Sequence, residues 1–342
     1  MNFPKQNNLQ WLRLLLAAQV LIEHAAVELG HWTPRVLSNF PGVPAFFFVS
    51  GFLIYSAYRH SPGVQYYRNR FLRLFPALLF VALGGVAVAL YAHGIGDLAR
   101  QPLTYAGWVV AQVTLGQAYN PGHFRDVGNG VINGSLWTIT TEILFYIAVP
   151  IIVALERRMR FVVPVLVVVS FGIYALGPAL WPRPIYRDKT LYDMLALTPV
   201  AWGWMFGFGI LAAQYFESIK KYIGPMAILA VVCVPFMLSG EGLVWGSFGN
   251  RLGLLYFLVY MALILGFAFA TPYVPLKPDL SYGLYVWHMP IVNLLLVSVA
   301  FAHSFWLAVG LTVVMASLSW YLVEQPALRL KRTSLLAPVP RR

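Results

Sequence analysis

Arg13 and His24 stand eleven residues apart in the apolar segment WLRLLLAAQVLIEHAAVEL. At about 100° per residue, eleven steps return to within roughly 20° of one helix face, and the two side chains lie roughly 16 Å apart along the axis. An ionisable group inside an apolar helix is costly to hold there and points to function. A neutral imidazole is the usual general base near pH 7. Glu28, four residues on, shares the face and could orient the ring, whereas Glu23 points about 100° away. A second group is Arg68, Arg70 and Arg73 in YYRNRFLRLFPALL. Arg70 and Arg73 share a face, and guanidinium forks suit phosphate. Such clusters also serve as positive-inside anchors, but Arg73 lies within the apolar run beside Pro76, deeper than anchoring requires. A third is Glu142 in GSLWTITTEILFY, at a depth that matches His24. A carboxylate there would pair with His24 or an arginine, or hold a sugar hydroxyl. His288 in SYGLYVWHMPI lies nearer the expected arginine level and reads equally as a core histidine. Glu324 in WYLVEQP reads as a solvated helix end or a partner of the inner arginines.

The elements that must position these residues are membrane helices. The chain has 342 residues, 59% hydrophobic and only 11% charged, with a mean hydropathy of +0.69; soluble domains carry about 25% charged residues. Eleven apolar runs fall between residues 11 and 323, among them 71–92, 194–216 and 281–302. The run at 104–118 is the shortest and most polar, and counting it as a span puts Arg157, Arg158 and Arg160 outside. Without it, ten spans with an inside N-terminus place 17 of the 24 Lys and Arg residues on the inner side and 7 on the outer. That bias sets both termini in the cytoplasm. The expected architecture is therefore an all-α polytopic bundle of about ten transmembrane helices, with one membrane domain over residues 1–330 and a basic cytoplasmic tail over 331–342. Residues 93–135 become an outer loop in which 104–118 lies as an interfacial or re-entrant helix. The net charge of +12 sits at helix ends, which argues for contact with membrane lipids and against nucleic acid. With a single cysteine, Cys233, inside an apolar run, neither a disulfide framework nor a zinc site is expected within the chain, and no metal ligand is assigned.

Taken in order, these segments resemble the acyltransferase-3 family of bacterial integral-membrane O-acyltransferases. The resemblance runs from Leu9 to Arg329: Arg13 and His24, GVPAFFFVSGFLIYS at 42–56, Arg70 and Arg73 before Pro76, SLWTITTEILFY at 135–146, SYGLYVWHMPI at 281–291, and VEQP at 323–326. No one element is specific; six in this order are. Pro44 and Ala45 depart from relatives that carry an acidic and a larger apolar residue there. The hydrolase-like domain fused to some relatives is not expected, so the acyl group would pass directly to an acceptor or a separate partner. The resemblance implies His24 as the essential histidine, Arg13 as its motif partner, and Arg70 and Arg73 as the basic pair at a cytoplasmic mouth; the mechanism expected from these residues adds Glu142 to orient the imidazole or the acceptor, and acetyl-CoA held by its phosphates on Arg70, Arg73 and Arg13. Trp137, Tyr282 and His288 are the candidate acceptor-binding residues, since aromatic rings stack on sugars. The implied reaction is acetyl transfer in the bacterial inner membrane to an extracytoplasmic or lipid-linked glycan, with polysaccharide-assembly proteins as candidate partners. Two alternatives stand beside it: a proton-coupled transporter or flippase using His24 and Glu142 as a relay, and an acyltransferase for a cytoplasmic small molecule such as a macrolide.

Overall fold

The computed structural model describes residues 3–186, 189–301 and 303–332. Twelve helices organise it: α1 (Leu9–Glu28), α2 (Gly42–His60), α3 (Val64–His93), α4 (Gly96–Arg100), α5 (Pro102–Thr114), α6 (Trp137–Glu156), α7 (Val162–Leu180), α8 (Pro199–Gln214), α9 (Ile223–Ser239), α10 (Leu254–Phe269), α11 (Ser281–Val297) and α12 (Phe305–Ser319). Shorter turns join them, and two small antiparallel ribbons pair Pro184–Tyr186 with Lys189–Thr190 and Ser247–Phe248 with Arg251–Leu252. Among the described residues, six helical stretches are long and apolar enough to cross a membrane: Arg35–His60, Val64–His93, Gly134–Glu156, Val162–Leu180, Phe216–Ser239 and Phe305–Arg329. The outer surface carries exposed Val168, Ile228, Val231, Val232, Phe236 and Leu322, side chains that only lipid would cover at such density.

The run at 104–118 becomes α5, thirteen residues long. At about 1.5 Å per residue it spans about 20 Å, short of a hydrocarbon core of about 30 Å. It packs on α3, and with the loop that follows it forms a second apolar core of Val88, Tyr105, Trp108, Phe124, Val127 and Ile132. Three expected boundaries shift. The third segment, expected at 71–92, starts at Val64, so Arg68, Arg70 and Arg73 all ride on one continuous helix. The run at 194–216 divides into a short helix, Leu191–Leu195, and α8, where Thr198 accepts a hydrogen bond from the Val200 N–H and Pro199 opens the first turn. The run at 281–302 ends its α-helix at Val297. Of the expected tail, residues 333–342 lie outside the described residues.

The bundle is tied by close helix approaches. A Cβ at Gly51 would stand 2.0 Å from the Phe206 carbonyl oxygen and one at Gly209 equally close to that of Phe48, so α2 and α8 cross backbone to backbone. At the centre lies α11, in which every residue from Ser281 to Asn293 is buried. A helix apolar on all sides belongs inside other helices. α1, α3 and α12 surround it, and Gly283 brings it against Ala316.

Candidate active site

α1 lays its Arg13 and His24 face against α11, as their shared register requires. Arg13 Nη1 is 3.5 Å from Asp279 Oδ2, two residues before α11 begins. Arg73, from the first half of α3, meets the same oxygen at 3.1 Å. The other Asp279 oxygen accepts from Ser281 Oγ at 2.6 Å and from the Ser281 N–H at 3.3 Å. Burial alone would raise the Asp279 carboxyl, but Arg13 and Arg73 outweigh it and hold it down to about 2. The carboxylate is therefore permanently charged and fixes two guanidiniums side by side.

Those guanidiniums border a cleft with about 810 Å³ of space not filled by atoms, counting its open mouth. Arg70 completes the basic edge. It forms no ion pair among the described residues, its Nε is buried without a hydrogen-bond partner, and its guanidinium lies over the Tyr146 ring at 5.6 Å. Beyond the end of the membrane-spanning segment, burial with Arg70 and Arg73 nearby pushes Lys331 down to about 8. A cation repelled by its neighbours marks a place where an anion would be welcome.

The cleft also takes up residues expected elsewhere. Glu142 lines it, accepting a 2.5 Å hydrogen bond from Tyr146 Oη rather than contacting His24. Tyr282 lies in it too, its ring under the Arg73 guanidinium at 5.8 Å and its hydroxyl donating to the Leu74 carbonyl. That places Tyr282 at the Arg13 end of the molecule, not on an outer acceptor surface. Trp137 is packed against Trp202 and Phe47, with centroids 5.4 and 6.1 Å apart, and serves the core instead of offering a free stacking face. Glu324 is buried at 2% exposure, held by Ser319 Oγ at 3.1 Å in a π-helical turn over Trp320–Glu324, so it is no solvated helix end.

His24 finds its partner in His288. His24 Nδ1 and His288 Nε2 are 2.8 Å apart. His288 Nδ1 faces the Leu284 carbonyl at 3.3 Å, and a carbonyl only accepts. His288 Nδ1 therefore carries the hydrogen and its Nε2 is the acceptor, so His24 Nδ1 donates. The free lone pair of the pair then lies on His24 Nε2, which has no hydrogen-bond partner among the described residues. A base held by a second residue in one tautomer is the arrangement proton abstraction needs. His288 thus takes the orienting role expected of Glu28, while Glu23 accepts from Gln19. Tyr285 links the two halves of the site: it lines the cleft, and its ring meets His288 edge-on at 5.8 Å. On the other side of α11, Asn293 accepts from the Asn129 N–H at 2.8 Å and donates to the Val131 and Ile132 carbonyls, while Asn133 donates to the Val286 carbonyl. The loop at 128–133 is therefore laid along the helix that carries His288. Asp279 and these asparagines lacked any periodic signal in the sequence. Asp279 alone was hinted at, as the one acid just ahead of SYGLY.

A half-buried base beyond an arginine-edged cleft fits acyl transfer, and nearly the whole chain carries the matching pattern: residues 6–324 match the family model described as an acyltransferase domain. The chain belongs to the acyltransferase-3 family. It is similar to nodulation protein 10 of Rhizobium leguminosarum bv. viciae, 30% identical over 97% of this chain and 95% of that protein. It is similar to an O-acetyl transferase of Shigella phage Sf6, 25% identical over 94% and 96% of the two chains. It also resembles a peptidoglycan O-acetyltransferase of Listeria monocytogenes, 22% identical over 84% of this chain and 51% of that longer one. No solved structure matches. As a member of the acyltransferase-3 family with several apolar spans, the protein is a multi-pass membrane O-acyltransferase.

Proposed function

We propose that the protein moves an acetyl group from cytoplasmic acetyl-CoA to a hydroxyl of an extracytoplasmic or lipid-linked sugar, from the inner membrane of a bacterium. In this reading the ten long helices α1–α3, α6–α12 are the ten spans, and both termini face the cytoplasm. The observation that carries the reading is the His24 and His288 pair, with a free lone pair roughly 16 Å of helix rise above Arg13. Arg70, without a carboxylate partner, takes a donor phosphate first; Arg13 and Arg73 share it in competition with Asp279. The pantetheine arm, of the order of that rise, runs along the cleft past Tyr285 and brings the thioester to His24. His24 Nε2 removes the acceptor hydroxyl proton, the oxygen attacks the thioester carbonyl, the C–S bond breaks, and the CoA thiolate takes up a proton. The similarity to a peptidoglycan O-acetyltransferase supports a sugar acceptor, and polysaccharide-assembly proteins are the partners such an acceptor would bring.

The test is CoA release from acetyl-CoA by purified protein in liposomes supplied with cell-surface glycan. Wild type should release CoA and esterify the glycan, and His24→Ala should lose at least about 100-fold in turnover, the usual size of a general-base contribution. Proton-driven solute flux without CoA release from either protein would overturn the reading in favour of a transporter. Release only with an acceptor confined to the cytoplasmic side would move the acceptor to the other face.

A further inference from the structure

At the far end of α3, twenty residues and about 30 Å of helix rise beyond Arg73, a second polar cluster is unconnected with the cleft. His93 closes α3, Asp97 lies in α4, and His123 lies in the 3-10 turn Gly122–Phe124. Their donor atoms all lie within 4.8 Å of one another. His123 Nε2 is 2.7 Å and His93 Nδ1 3.4 Å from Asp97 Oδ2. The His93 ring is also approached from behind: Asp126 sits 3.1 Å from its Nε2, and the Asp126 side chain is 72% exposed.

These contacts dictate a proton arrangement that leaves something wanting. Asp126 accepts from His93 Nε2–H, which in a neutral ring leaves Nδ1 as the bare lone pair. That nitrogen is buried and has no hydrogen-bond partner, yet it faces a carboxylate oxygen. Tyr105 Oη already donates to that oxygen at 2.8 Å. Two lone pairs held 3.4 Å apart repel unless a proton or a metal cation stands between them. The 3.4 Å separation of His93 and Asp97 is the edge of a tetrahedron whose centre lies about 2.0–2.1 Å from each donor, the distance at which zinc holds imidazole nitrogen and carboxylate oxygen; His123, now hydrogen-bonded to Asp97 at 2.7 Å, would give up that bond to complete the set.

We propose that His93, Asp97 and His123 form a binding site for a divalent cation of the zinc type. Two imidazoles and one carboxylate are the three protein donors, with water as the fourth ligand; imidazole favours zinc-like ions over magnesium or calcium. Asp126 and Tyr105 act behind them, fixing the His93 tautomer and the Asp97 carboxylate as outer-shell partners do. The ion joins α3, α4 and the start of the loop that runs on to Asn129 and Asn133, so it pins one end of the loop whose other end is tied to α11.

The experiment uses the full chain in detergent without a histidine tag, stripped with a chelator and titrated with zinc chloride alone. Wild type should retain stoichiometric zinc after desalting, in preference to a large excess of magnesium, and zinc should slow amide hydrogen exchange across 119–133. His123→Gln should abolish retention. Because Asp126 is exposed, Asp126→Asn folds in any case, and it should bind zinc at least about 10-fold more weakly. Wild type that retains no zinc, or Asp126→Asn and His123→Gln binding it as wild type does, would overturn the proposal; the first result would assign the gap to a proton on His93.

Discussion

Two aspartates, each 8% exposed, organise the two ends of α3, and their surroundings are nearly the same in form. Asp279 is gripped by Arg13, Arg73 and the Ser281 hydroxyl; Asp97 is gripped by His93, His123 and the Tyr105 hydroxyl. The difference lies in the bases. A guanidinium cannot give up its proton and has no lone pair to offer, so the Asp279 cluster can attract only anions. A neutral imidazole is a donor to metals, so the Asp97 cluster can hold a cation. One arrangement repeated with two kinds of base suits an anion at one end and a cation at the other.

The largest break in that comparison comes from Asp279→Asn. It leaves Arg13 and Arg73 buried together without their shared counter-charge, and removing one partner of a buried pair costs about 3–5 kcal/mol. Thermal unfolding in detergent should show a correspondingly large drop. Asp97→Asn should lower the melting temperature by less, since imidazole partners, unlike guanidiniums, need not carry a charge, and the drop should shrink to that of the lost His123 and Tyr105 hydrogen bonds when wild type is compared without zinc. Equal losses for the two variants would remove the distinction between permanent and conditional charge. Arg70→Ala sharpens the comparison from the other side. With no carboxylate of its own, Arg70 should cost little stability but raise the KM for the acyl-CoA donor about 10-fold at nearly unchanged kcat, as loss of uniform binding does. The smallest effect belongs to Lys331. It is charged below about 8 and loses that charge as pH rises, so donor KM should increase by on the order of threefold between pH 7 and pH 9, a surface-pair magnitude. Lys331→Arg should flatten that rise, and a rise that persists in the variant would move its cause elsewhere.

His288 has a test of its own. His288→Leu should lose kcat, whereas His288→Gln, which keeps an acceptor for His24 Nδ1–H, should recover most of it; a purely structural His288 would not distinguish the two. The tautomer argument would then have to be abandoned.

Much of the fold was legible because apolar length and the 3.6-residue period are local properties. The α1 register carried Arg13 and His24 correctly onto one neighbour, and the short polar run at 104–118 forms a helix of only thirteen residues. The partners were not legible. Asp279 lies 266 residues from Arg13 and His288 lies 264 from His24, with no pattern in either stretch to announce the meeting. Trp137 and Tyr282 were assigned to an acceptor surface because aromatic residues advertise stacking but not depth; Trp202 and Arg73 had already claimed those rings. The cluster of His93, Asp97 and His123 escaped notice because its members come from three elements that only the second apolar core brings together.

α11 is enclosed by protein along its whole polar stretch, and that has a consequence for timing. A helix with a lipid-facing side can slide or tilt toward the bilayer; one without such a side moves only when its neighbours do. Asp279 is fixed just before its first residue, His288 lies midway and Asn293 near its end. An event at the arginines and an event at the loop are therefore felt by the same rigid body, so under the proposed function donor arrival and acceptor admission at His24 become mechanically a single step.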